Sequence, residues 1–255
     1  MDRKIRVGAV SYLNTKPLIF GIEKGMMKET IDLVIDYPAN IATQLINNEI
    51  DIGLIPVAVL PNLREHHIVS DFCIASDGAV ASVCLFSEVL LNEIKTILLD
   101  YQSRTSVALL KLLLKEHWKI SPVLVQASAG YEDAISGNTA GLVIGDRALQ
   151  QRQKSTFIYD LSLAWKELTG KPFVFAAWVS NKQMTNQFID EFNLANKFGV
   201  DNLEQVVQEN PYNAYDLHRY YTDNIKFKPQ FDKLEVITLF LDKIGSNKVS
   251  VFDNL

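Results

Sequence analysis

Ala79-Val80-Ala81-Ser82-Val83-Cys84-Leu85-Phe86 is a run of small and apolar residues interrupted by one hydroxyl, and it separates two stretches of similar pattern. A short run without charge suits a strand buried on both faces. On its N-terminal side, Ile5 to Val10 reads as a buried strand, Ser11 to Lys16 as a polar turn, and Pro17 as a first-turn position of a helix. Ile31 to Tyr37 alternates apolar and acidic residues, the period of a half-exposed strand. Pro38 stops it, and Asn40 is placed to cap a helix running through Ile46 and broken at Asn47-Asn48. Asp51 to Pro56 is a third strand. On the C-terminal side the cycle restarts. Strands are predicted at Ile97–Asp100, Val123–Val125 and Gly141–Ile144, with helices at Ser103–Lys115 and Tyr131–Ser136 between them. Two β-α-β-α-β units predict two mostly parallel sheets with helices on their faces.

Phe173 to Val179 matches the opening run in length and apolarity and follows the turn Thr169-Gly170-Lys171-Pro172. Two such runs predict two crossing strands between two α/β lobes, 1–84 with 178–255 and an inserted 85–177, with a ligand cleft between them. Helices are expected at Met184–Phe198, at Asp201–Glu209 with Asp201 as cap, in the tyrosine-rich 212–221 and at Phe231–Ile244, packed on the first sheet. Asp51–Ile55 and Thr139–Val143 share a faint echo that suggests duplication.

The composition agrees with a packed globular chain: 48% hydrophobic and 22% charged residues among 255 exclude disorder and collagen. Twenty-five basic against thirty acidic side chains give a charge of −5, so nucleic acid is a poor partner and an anionic ligand needs a local site. Cys73 and Cys84 lie eleven apart with no CxxC, and no His-carboxylate spacing suits a metal. Walker, GxGxxG and GxSxG motifs are absent. The start of the chain lacks the apolar core of a signal peptide, Val251 to Leu255 carries no lipidation motif, and no stretch reaches membrane-span length, so a cytoplasmic location with no membrane partner is expected.

Candidate chemistry gathers where strands pass into helices. Ser11 to Pro17 ends the first strand, where open α/β sheets bind ligands, although Asn14 or Thr15 could simply cap the helix. The corner at Tyr101 to Ser106 repeats the geometry. A cap uses one hydroxyl, so Ser103, Thr105 and Ser106 exceed what the helix requires and suit a carboxylate. Ser82 is a hydroxyl in an apolar run and must find a partner. Asp146, at the end of the last strand of the second unit, suits a base, a clamp or a cap, with a structural role favoured. The tyrosines at 212, 215, 220 and 221 read as packing a helix onto the core.

Taken in order, Val10-Ser11-Tyr12-Leu13-Asn14-Thr15-Lys16-Pro17-Leu18, Ile52 to Val57, Ala81-Ser82-Val83, Leu99 to Val107, Ile144-Gly145-Asp146 and the segment from Asp160 through Trp165 to Ala176 resemble the chorismate dehydratases of the futalosine route to menaquinone. The resemblance covers most of residues 5–180. It implies a two-lobed fold like that of type II periplasmic binding proteins, joined by a double-strand hinge. It implies a hydro-lyase that converts chorismate to 3-[(1-carboxyvinyl)oxy]benzoate with no metal or redox cofactor. By motif, Asn14 and Ser82 match the polar residues beside the reacting ring; Ser11, Ser103, Thr105, Ser106 and Asp146 match substrate-binding positions. The substrate's own enolpyruvyl carboxylate is then a candidate base. Two other readings stand beside it: a solute-binding protein for a small carboxylate, and the sister enzyme that forms dihydroxynaphthoate.

Overall fold

In the computed structural model, which describes residues 3–245, the chain forms two five-stranded sheets. The first residues and Val251 to Leu255, read above for targeting and lipidation signals, lie outside the described residues. The first sheet has the order β2-β1-β3-β10-β4, from β1 (Ile5–Val10), β2 (Ile31–Asp36), β3 (Ile52–Pro56), β4 (His67–Ser76) and β10 (Phe173–Ser180). The second has the order β7-β6-β8-β5-β9, from β5 (Val83–Ser87), β6 (Thr96–Leu99), β7 (Val123–Gln126), β8 (Thr139–Ile144) and β9 (Phe157–Asp160). In each sheet three strands are parallel and the next runs antiparallel, β10 against β3 and β5 against β8. β3 and β8, the two members of the faint echo, hold the same place in their sheets.

The helices follow the sequence patterns with shifts that have local causes. α1 (Lys16–Glu23) carries Pro17 in its first turn. α2 (Pro38–Ile46) begins at the proline itself, which supplies a preset φ where no N–H bond is needed. Asn40 therefore lies inside that helix and is not its cap; its side chain donates to Asp36. α3 (Arg104–Leu113) starts at the expected corner, α4 (Gly145–Gln151) follows β8 directly, and α5 (Leu161–Thr169) follows β9. α6 (Asn186–Asp201), α7 (Leu203–Glu209), the short α8 (Leu217–Arg219) and α9 (Lys233–Lys243) complete the chain. Asn202, not Asp201, occupies the cap position of α7. α6 packs on α1 and β4, and α9 on β10, so the C-terminal helices cover the first sheet. The approach of α6 to α1 is close: a Cβ on Gly199 would stand 1.9 Å from the Pro17 carbonyl oxygen.

The crossings differ from the sequence expectation. Residues 79–82 are not strand; β5 begins at Val83 and belongs wholly to the second sheet, as β10 belongs wholly to the first. The expected divisions at 84/85 and 177/178 thus fall inside these strands, and the chain changes sheet in 77–82 and between Asp160 and Phe173. The cause is at Ala81, whose φ of 65° lies in the left-handed region and breaks an extended run. Asp160 holds that loop from a distance. Its carboxylate accepts the N–H groups of Val80 (3.2 Å) and Ala81 (2.7 Å) and also those of Ser162 (3.0 Å) and Leu163 (3.2 Å) at the start of α5. Arg152 donates to the Ala81 carbonyl at 3.1 Å.

Candidate functional site

A cavity lies between the two sheets, lined by residues of both. Asn14, Ser82, Ser103, Thr105 and Ser106 all line it, so residues from both halves of the sequence meet there. Its walls are mainly apolar, with Val10, Tyr12, Ile74, Ile144 and Phe175 among them. Among the described residues, no carboxylate, imidazole, ammonium or guanidinium group belongs to the lining. Ser11 is exposed and not part of the wall; its N–H donates to the Asp36 carbonyl. Asp146 also lies off the wall.

The corner at α3 is built locally. Ser103 caps the helix, its hydroxyl accepting the Ser106 N–H at 3.0 Å. Thr105 Oγ1 accepts the N–H of Ala58 (3.1 Å), which belongs to the turn after β3 and so to the other half of the cavity. Ser106, buried, lines the cavity beside these. The remaining N–H groups of the first turn give this end of the cavity a positive potential without a cation. Arg104 points away, reaching Thr43 Oγ1 at 3.4 Å, and Lys16 pairs with Glu23 at 3.6 Å.

The corner at Leu13–Thr15 is built from elsewhere in the chain. It forms a 3₁₀ turn with no side-chain cap. Asp146 supplies one, its Oδ1 accepting the Leu13 N–H at 3.0 Å across the gap between the sheets. Burial outweighs that bond and pushes the Asp146 carboxyl up to about 6. Tyr221 donates to the Leu13 carbonyl at 2.9 Å, and Tyr212 donates to the Asp146 carbonyl at 2.6 Å. Gly145 makes the meeting possible. Its φ is +62°, its N–H donates to the Ser82 carbonyl at 2.8 Å, and a Cβ there would stand 3.0 Å from the Tyr12 ring.

Several residues at this site carried no sequence-based role. The Tyr12 hydroxyl donates to Gln102 Oε1, which also accepts from Arg147 at 2.9 Å. Arg147 pairs with buried Asp100 at 2.7 Å and with Glu132, while Tyr131 donates to Asp100 at 2.8 Å. Burial raises the Asp100 carboxyl despite these partners. Tyr220 is fully buried, and its hydroxyl donates to Ser82 Oγ at 2.6 Å. Asp160, which holds the 79–82 loop, had a visible signal, an acid immediately before a helical pattern. The Tyr12 network and Tyr220 had none, because their partners are dozens of residues away.

Comparison with known proteins identifies the family and the fold. A family model described as menaquinone biosynthesis matches residues 5–245. The chain is 28% identical over 222 residues to a chorismate dehydratase of Thermus thermophilus, covering 79% of this chain and 80% of that one. Among solved structures, a protein from Archaeoglobus fulgidus superposes with a TM-score of 0.71 at 17% identity, covering 95% of both chains. The periplasmic aliphatic sulphonate binding protein of Escherichia coli gives 0.62 at 14% identity, over 96% of this chain and 91% of that one. These likenesses show a two-lobed fold of the periplasmic-binding-protein kind.

Proposed function

We propose, from the premise that this chain belongs to the menaquinone-biosynthesis family, that it is a hydro-lyase acting on chorismate, the activity named for its Thermus thermophilus relative. The product is 3-[(1-carboxyvinyl)oxy]benzoate. The C3 hydrogen of chorismate is vinylogous to the ring carboxylate, so its loss as a proton leaves a dienolate. The dienolate expels the C4 hydroxyl, the proton and hydroxide leave together as water, and the ring becomes aromatic. Charge therefore grows on the ring carboxylate before the C–O bond breaks. Oriented donors are what this step needs, and the first turn of α3, started by the Ser103 cap and carrying Thr105 and Ser106, offers them.

One observation carries the reading: the cavity wall gathers an amide and several hydroxyls from both sheets, with no side-chain base among the described residues. The proton is accordingly assigned to the substrate's enolpyruvyl carboxylate, held near C3. Asn14 and Ser82 orient that group and the departing hydroxyl, so that positioning supplies much of the rate. Asp146 is assigned the clamp on Leu13 that its hydrogen bond describes. The Ala58–Thr105 and Leu13–Asp146 bonds link the two sheets beside the cavity, and we assign them to a closed form that parts at 77–82 and 161–172 to admit substrate. The cysteines are both buried and free, in keeping with a reducing, cytoplasmic setting.

The test is direct. Protein mixed with chorismate should give an aromatic product, followed by absorbance and identified by mass. Tight binding of chorismate or another carboxylate without product would move the chain to the solute-binding reading. Product from a later pathway intermediate alone would assign it to the sister, dihydroxynaphthoate-forming reaction.

A further inference from the structure

The C-terminal stretch from Tyr215 to Asn224 touches one residue of the cavity wall, Ser82, and two backbone carbonyls beside the wall. Tyr221 holds the Leu13 carbonyl, and Asn224 Nδ2 donates to the Ala79 carbonyl at 2.9 Å. Residues 220–224 form a wide π-helical turn that directs Tyr220, Tyr221 and Asn224 inward together. Tyr220 is 0% exposed and Ser82 is 1% exposed, so their 2.6 Å bond is out of competition with water. Burial holds the phenol well above its ordinary range. The phenol therefore keeps its proton and gives it to Ser82 Oγ.

We infer that Tyr220 is a positioning residue for the dehydration, aiming the Ser82 hydroxyl proton into the cavity. An Oγ that accepts from Tyr220 cannot also turn its own proton toward that phenol. The serine proton is left to face the cavity, where the leaving C4 hydroxyl needs a donor. The inference rests on the dehydratase reading and extends it to a segment whose tyrosines would otherwise serve packing alone.

Tyr220→Phe keeps the ring and removes only the donor. Steady-state kinetics on chorismate should show kcat lowered about 10- to 100-fold with KM changed less than about twofold, since the group sets geometry and does not touch substrate. Ser82→Ala should lower kcat at least as far. The Tyr220→Phe, Ser82→Ala pair should be no slower than Ser82→Ala alone, because the two hydroxyls act as one unit. Tyr215→Phe, whose hydroxyl bonds Asn224 at 3.1 Å in the same stretch, should stay within about twofold of the parent. Full turnover by Tyr220→Phe, additive losses in the pair, an equal loss in Tyr215→Phe or full turnover by Ser82→Ala would each overturn the role of Tyr220 while leaving the dehydratase reading intact. A parent protein that makes no product would overturn both.

Discussion

Leu13–Thr15 and Ser103–Ser106 are both corners where a strand passes into a helix, and they border the same cavity. At the second, the helix cap comes from three residues away, Ser103 to Ser106. At the first, the N–H of Leu13 is satisfied by Asp146, its carbonyl by Tyr221, and the neighbouring Tyr12 ring lies against Gly145. One corner would keep its form in isolation, while the other exists only when the two sheets and the C-terminal segment come together. Asn14 sits on the corner that is assembled from outside, so its position reports on the whole fold.

Gly145→Ala should strike this difference hardest. The substitution forces a Cβ into a backbone at φ +62° and to 3.0 Å from the Tyr12 ring. Left-handed strain and overpacking together should cost about 2–4 kcal/mol, read from urea denaturation, and turnover should fall with it because Tyr12 lines the cavity. A variant as stable and as active as the parent would show that the first corner does not depend on its contact with α4.

Asp146 gives a second, graded break. Asp146→Ala leaves the Leu13 N–H unpaired and should cost about 1–3 kcal/mol. Asp146→Asn keeps an acceptor and should retain turnover; loss of turnover with chorismate binding preserved would instead make Asp146 the base. The pH dependence has a definite sign. Burial raises this carboxyl from its usual value near 4 to about 6. The folded state thus binds the proton more tightly, and the stability gained is complete below about pH 4 and lost as pH rises through about 6. Thermal melts from pH 4 to 8 should show Asp146→Asn gaining on the parent across that window, by an amount on the order of 3 kcal/mol. Parallel curves would remove the burial of Asp146 as a source of pH dependence.

The same contrast explains what could be read from the sequence. Strands β1, β3 and β6 and the α3 corner follow from patterns a few residues long, whereas the joint placing of Asn14, Ser82, Ser103, Thr105 and Ser106 around one cavity is expected only from the family resemblance. The loop 79–82 looked like strand because nothing nearby marks Ala81; the carboxylate that supports its left-handed backbone is Asp160. β4 escaped notice because its first residues, His67 to Asp71, mix charge with apolar side chains. Ser11 belonged to the right motif, yet strand β1 ends with its N–H turned to Asp36 and the side chain outside the cavity. Tyr220 read as packing, which its burial bears out, but burial also hides the hydroxyl that reaches Ser82. Short-range patterns therefore yield elements and helix starts, whereas contacts between distant segments decide which of these face a ligand.

The smallest expected effect lies at the self-sufficient corner. Ser103→Ala removes one cap and should cost about 1 kcal/mol, while Ser103→Gly should cost only a few tenths. Both should leave kcat nearly unchanged, because the backbone N–H groups of the first turn persist and Thr105 still holds Ala58. KM for chorismate should rise modestly if the helix start frays. A tenfold fall in kcat from Ser103→Ala would mean that this hydroxyl serves the reaction itself, and the distinction between a locally built corner and a remotely built one would then describe the folding of the site but not the division of its chemistry.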